Sequence, residues 1–207
     1  INDPPDDHDY QGKWFWQLGK QNSLTLSFTG AKDVFAAGIS DYSEWALKSP
    51  EFIGDVIYDR KFNGQHLVWD NHSKNSHLKV GLGVLHNDVR IDYGKVSEEQ
   101  GFFQDDVSDQ YSAKVRWSYN LTKAQRVVVD GGITHINNDI SFYGNLYNCT
   151  EIDPDCSLTK GEEVRVAQSL NYNQYFIGAN HIWNLNRDWQ SEIGVHYQAN
   201  TYQDEHF

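Results

Sequence analysis

The chain has 207 residues, 39% of them hydrophobic and 14% aromatic, which suits one domain or one barrel of alternating strands. Its formal net charge of −12 argues against nucleic acid as a partner, because phosphate binding wants a basic face. No stretch approaches 18 apolar residues, so a transmembrane helix is excluded, but barrel strands hide their hydrophobicity in alternation.

In chain order, residues 1–11 (INDPPDDHDYQ) are acidic and contain two prolines, which predicts an extended N-terminal tail. Asp6, Asp7, His8 and Asp9 could offer oxygen and nitrogen to a divalent cation, but a terminal acidic run is more often solvated. Residues 12–207 are read as one β-barrel domain. Trp14, Trp16 and Leu18 share one side of a first strand, and Leu24, Leu26 and Phe28 alternate with Thr25, Ser27 and Thr29 in its hairpin partner. The pattern weakens from Asp33 to Leu47. Asn63-Gly64 predicts a tight hairpin turn between Phe52–Lys61 and Gln65–Asp70. Leu78, Val80, Leu82 and Val84 alternate with His77, Lys79, Gly81 and Gly83, and His86-Asn87-Asp88 predicts another turn. Beyond it Val89, Ile91 and Tyr93 oppose Arg90 and Asp92.

Residues 97–109 are acidic and aperiodic, which predicts a loop. Ala113, Val115, Trp117 and Tyr119 then oppose Lys114, Arg116 and Ser118, and a turn at 120–123 leads to Val127, Val129 and Ile133 against Asp130 and Thr134. Residues 137–163 predict a second long loop. It holds both cysteines, Cys149 and Cys156, whose polar setting beside Pro154 favours a local disulfide in an oxidising compartment. The strand-like stretch 164–183 drifts in its alternation, as at a bulge. The clearest strand is Trp189–Gln203, with Ile193, Val195, Tyr197 and Ala199 on one side and Glu192, Gly194, His196 and Gln198 on the other. The tally is an all-β, antiparallel, up-and-down transmembrane barrel of about 10–12 strands, or part of a larger barrel.

The segments Trp117–Lys123 and Trp183–Trp189 resemble the periplasmic turns of Gram-negative outer-membrane barrels, most of all the β-barrel porin 2 group. The run from Asn22 to Asn71, with Tyr58–Gly64, is loosely similar to that group's N-terminal strands. The resemblance implies a channel in the bacterial outer membrane that passes or exports a hydrophilic solute such as a saccharide. Its implied partners are outer-membrane lipid and lipopolysaccharide, the solute, and periplasmic export components.

If the apolar faces meet lipid, Lys79, Arg90, Asp92, Lys114, Arg116, Asp130, Glu192 and His196 line the interior, as a screened pore or as a salt-bridged plug. Trp117, Tyr119, Trp183, Trp189 and Tyr197 are then expected in the aromatic girdle. An enzyme would have to start from His72, Ser73 and His77. Neighbours on a strand point to opposite faces, so no catalytic residues are expected. No cofactor or metal motif stands out, since a C-x6-C pair alone is a poor zinc site. The alternative is a secreted, soluble β-barrel that binds a ligand, with the same apolar stripe turned inward.

Overall fold

The computed structural model describes residues 6–39, 54–94, 102–145, 163–185 and 189–204. They form one antiparallel sheet of eight strands in strict sequence order. These are β1 (Asp6–Leu18), β2 (Asn22–Ile39), β3 (Gly54–His72) and β4 (Ser76–Gly94), then β5 (Phe102–Asn120), β6 (Gln125–Asn145), β7 (Glu163–Asn184) and β8 (Gln190–Asp204). Each strand pairs with its sequence neighbours, and among the described residues β1 and β8 are not paired to each other. The sheet is therefore an up-and-down wall that does not close.

Among the described residues the count is eight, not 10–12, for a clear cause. Asn63-Gly64 and His86-Asn87-Asp88 are not turns: they lie inside β3 and β4, each a continuous strand of 19 residues. A type I′ turn needs positive φ at its central residues, and among the described residues only Gly19 and Gly54 have it. Likewise β5 begins at Phe102 and β6 runs on to Asn145, so parts of both expected loops are strand. β1 starts at Asp6, inside the expected tail. Cys149 and Cys156 lie outside the described residues.

The connections at one end of the sheet are short: residues 19–21, 73–75, 121–124 and 185–189. Gly19, at φ 81°, supplies the left-handed position of the first, and the Gln17 side-chain amide donates to the carbonyls of Gly19 and Asn22. The first three short turns are each also tied to the strand beyond their hairpin. His72 N donates to Gln21 O at 2.7 Å, Asn120 N to Asn75 O at 2.8 Å, and Asn184 N to Ala124 O at 2.8 Å. The turns thus form one stapled edge, called here the turn side.

Strands of 18 to 22 residues, β2 to β7, reach about 60–70 Å at the usual rise. A bilayer needs only about 9–11 tilted residues. Among the described residues the only buried hydrophobic side chains are Val128, Ile136 and Ile182, all on one face of β6 and β7. The sheet has almost no core of its own.

Candidate functional site

Register decides what each face carries. Cross-strand partners share a face, and the face alternates along each strand. One row of partners crosses the sheet as Tyr10, Gly30, Asn63, His86, Asp109, Asn137 and Asn171. It is knit by side chains as well as backbone. Tyr10 lays its ring over Gly30 and its hydroxyl meets the Asn63 amide, while His86 Nδ1 lies 2.8 Å from Asp109 Oδ1.

On the turn side of this row, the face that includes the row carries no Asp, Glu, Lys or Arg on any of the eight strands. Its residues run Trp14 and Trp16 on β1, Leu24 and Leu26 on β2, Leu67 and Trp69 on β3, and Leu78, Val80, Leu82 and Val84 on β4. They continue as Val115 and Trp117, Val129 and Ile133, Ile177 and Ala179, then Ile193, Val195 and Tyr197. None of these side chains is buried; some are half-buried and the rest exposed, Leu82 by 52%, Ile177 by 59% and Val195 by 75%. A contiguous apolar patch of this extent does not stay in water unless something covers it.

Beyond the row the same face turns polar. Lys32, Lys61, Asp59, Asp88, Arg90, Asp92, Asp105 and Asp139 follow one another across β2 to β6. Arg90 grips Asp92 through Nε at 2.9 Å and Nη2 at 3.0 Å, lies 3.9 Å from Asp105, and stacks over Phe103. The Asp92 hydrogen bonds raise the Arg90 pKa above its already high ordinary value. Lys61 pairs with Asp59 at 3.3 Å. A groove of about 730 Å³ runs between these side chains.

The opposite face reverses this order. On the turn side it holds Lys13, Asp70, Lys79, Lys114, Arg116, Arg126, Asp130 and Glu192, with His66, His72, His77 and His196. Beyond the row it carries many apolar residues, among them Tyr58, Phe62, Ile91, Ile140 and Leu170. Lys79 pairs with Asp70 at 3.3 Å, but Lys114, Arg116 and Arg126 have no ion pair among the described residues. Lys79 and Arg116 are direct cross-strand partners, an unfavourable pairing of like charges. Pockets of about 260 Å³ each open beside them, lined by His77, Lys79, Arg116 and Arg126 and by His66, Lys114 and Asp130.

Six of the residues expected inside therefore share this charged face: Lys79, Lys114, Arg116, Asp130, Glu192 and His196. Arg90 and Asp92 do not. With no turn at residues 86–88, the parity of β4 carries through, and both stand on the face of Leu82. Sequence reasoning also missed Asp70 and Arg126, which parity counted outward from the short turns finds. Of the expected aromatic girdle, Trp117 and Tyr119 stack at 5.7 Å near the turn edge. Trp183 is the last but one residue of β7, and Trp189 adjoins β8. Tyr197 stands farther in, level with Ile177. His72 faces Asp70, and Ser73 Oγ meets Ser76 Oγ at 3.1 Å.

No protein-family model matches the chain, and no curated protein matches it in sequence. Solved structures do match in fold. One is the outer-membrane transporter YddB from Escherichia coli, at TM-score 0.56 and 12% identity, over 95% of this chain and 27% of that one. Another is the closed form of the ferric-catecholate import receptor Fiu from E. coli K12, at TM-score 0.58 and 13% identity, over 97% of this chain and 35% of that one. The shared feature is the outer-membrane barrel fold; no family match carries the likeness to the β-barrel porin 2 group. The chain spans about a third or less of the length of these transporters.

Proposed function

We propose that the chain forms wall strands of a transport barrel in a bacterial outer membrane. The apolar face meets lipid, and the charged face lines an aqueous interior that passes a hydrophilic solute. The observation that carries this reading is the segregation of charge: on the turn side of the Tyr10–Asn171 row, every strand Asp, Glu, Lys and Arg stands on one face. Lipid penalises a mid-bilayer charge by a few kcal/mol, roughly 2–4 for Arg or Lys, and an aqueous interior does not. Beyond the row this constraint ends, and charges return to the outward face where headgroups and water would meet it.

The interior surplus of Lys114, Arg116 and Arg126 favours anionic solutes, in a chain whose overall charge is −12. A saccharide fits best if it bears acidic groups. A secreted, soluble barrel would have to turn the apolar face inward, and Val195 and Ile193, 75% and 73% exposed, are covered by nothing among the described residues.

The test is refolding into lipid vesicles followed by flotation. Protein that floats with the vesicles and resists carbonate extraction supports the membrane wall. Protein that stays soluble and monomeric without detergent contradicts it.

A further inference from the structure

We propose that Asp70, His72 and His77 form a site for one divalent transition-metal ion of the Zn²⁺ or Cu²⁺ class, on the charged face at the β3–β4 turn. The inference stands apart from the transport reading, because it needs only the hairpin.

His72 and His77 are direct cross-strand partners, and Asp70 lies two residues before His72, so all three point to one face. Their rings stack at 3.9 Å with 20° between planes. His72 Nε2 lies 2.8 Å and His77 Nε2 2.5 Å from the same atom, Asp70 Oδ1. Ligand atoms of the three residues all lie within 4.8 Å of one another. Two imidazole nitrogens thus converge on one carboxylate oxygen, so three donor atoms lie together. Metal bonds of about 2.0–2.2 Å in tetrahedral array set donor atoms roughly 3.3–3.6 Å apart. The carboxylate reaches that spacing by backing off about 1 Å.

The hairpin holds the donors in place. The turn 73–75 is closed by Ser73 N donating to Ser76 O at 2.8 Å and by Ser76 N donating to Ser73 Oγ at 3.2 Å. Lys79 Nζ, 3.3 Å from Asp70 Oδ2, occupies the second carboxylate oxygen and leaves Oδ1 as the single oxygen donor. Its charge opposes a cation, so affinity at this site rests on the two imidazoles. Three protein donors leave a fourth position open, and His72, 63% exposed, lies where solvent reaches it. Two imidazoles with one carboxylate select Zn²⁺, Cu²⁺ or Ni²⁺ over Mg²⁺ or Ca²⁺, which want oxygen throughout.

The test is calorimetric titration of the untagged full chain in detergent with zinc chloride, with magnesium chloride as the control. The expected result is one high-affinity ion per chain and no heat from magnesium. His72→Gln and His77→Gln each weaken zinc at least about tenfold, as losing even an outer-shell partner can. His86→Gln, whose histidine pairs with Asp109, changes nothing. Copper(II) bound to the wild type shows hyperfine coupling to two imidazole nitrogens, reduced to one in His72→Gln. That exposed-site variant serves even if His77→Gln fails to fold. No zinc binding by the wild type, or binding that survives His72→Gln unchanged or falls equally in His86→Gln, overturns the site.

Discussion

Leu82 and Arg90 stand on the same face of one unbroken strand, eight residues and about 27 Å apart. One is an exposed apolar side chain and the other an exposed cation. Nothing in the backbone separates them, and both are paired at regular register to β3 and β5. A solvent boundary that crosses the sheet between them accounts for the change. The same change recurs on β5 between Val115 and Asp105, and on β6 between Ile133 and Asp139.

The boundary makes the cost of a new charge depend on position along a strand. Val115 and Val107 both lie on the apolar-to-polar face of β5, eight residues apart and on opposite sides of the row. In bilayers, Val115→Arg is expected to cost roughly 2–4 kcal/mol, while Val107→Arg costs roughly 0–1. Denaturant unfolding of vesicle-inserted protein measures both. Equal losses at the two sites would remove the boundary.

The opposite face should govern charge selectivity without governing stability. Arg116→Glu and Lys114→Glu are expected to shift the reversal potential of reconstituted protein toward cations, with unfolding midpoints nearly unchanged. Arg90→Glu stands on the other face and should leave the reversal potential where it was. A shift from Arg90→Glu as large as that from Arg116→Glu would contradict the face assignment.

Two glycines test the register directly. Gly64 has ordinary φ and room for a methyl, with Leu85 Cδ1 3.5 Å away. Gly64→Ala should therefore change stability by no more than about 0.5 kcal/mol. In a type I′ turn at Asn63-Gly64 the same change would cost about 1–2 kcal/mol, the penalty of a left-handed Cβ. Gly30 lies beneath the Tyr10 ring, so a methyl there must push the ring aside. Gly30→Ala is expected to cost about 1–3 kcal/mol and to raise amide exchange along β1, which among the described residues pairs only with β2.

These residues also show why the fold was legible only in part. Alternation from Leu78 to Val84 and from Ile193 to Ala199 announced strands with one wet face, because lipid or a core demands strict parity there. Sequence reading broke the strands at Asn63, at His86, at Asp109 and at Asn137. Those four residues are cross-strand partners in a single row. Each break is the place where the face of Leu82 ceases to be apolar, and a polar residue on an apolar stripe looks like a turn when only one strand is in view. The pairing of Asp70 with two histidines was invisible for a different reason. It needs the three-residue turn 73–75 to set His77 opposite His72, a register that spacing alone does not fix.

The most direct test of the lipid-facing wall is spin-label accessibility along β4, in a Cys149→Ser, Cys156→Ser background reconstituted in bilayers. Labels at positions 79, 82 and 90 sample the charged face, the apolar face, and the apolar face's polar continuation. The account predicts high oxygen and low nickel-chelate accessibility at 82, with the reverse at 79 and 90. Nickel-chelate accessibility at 82 equal to that at 79 and 90 would contradict it.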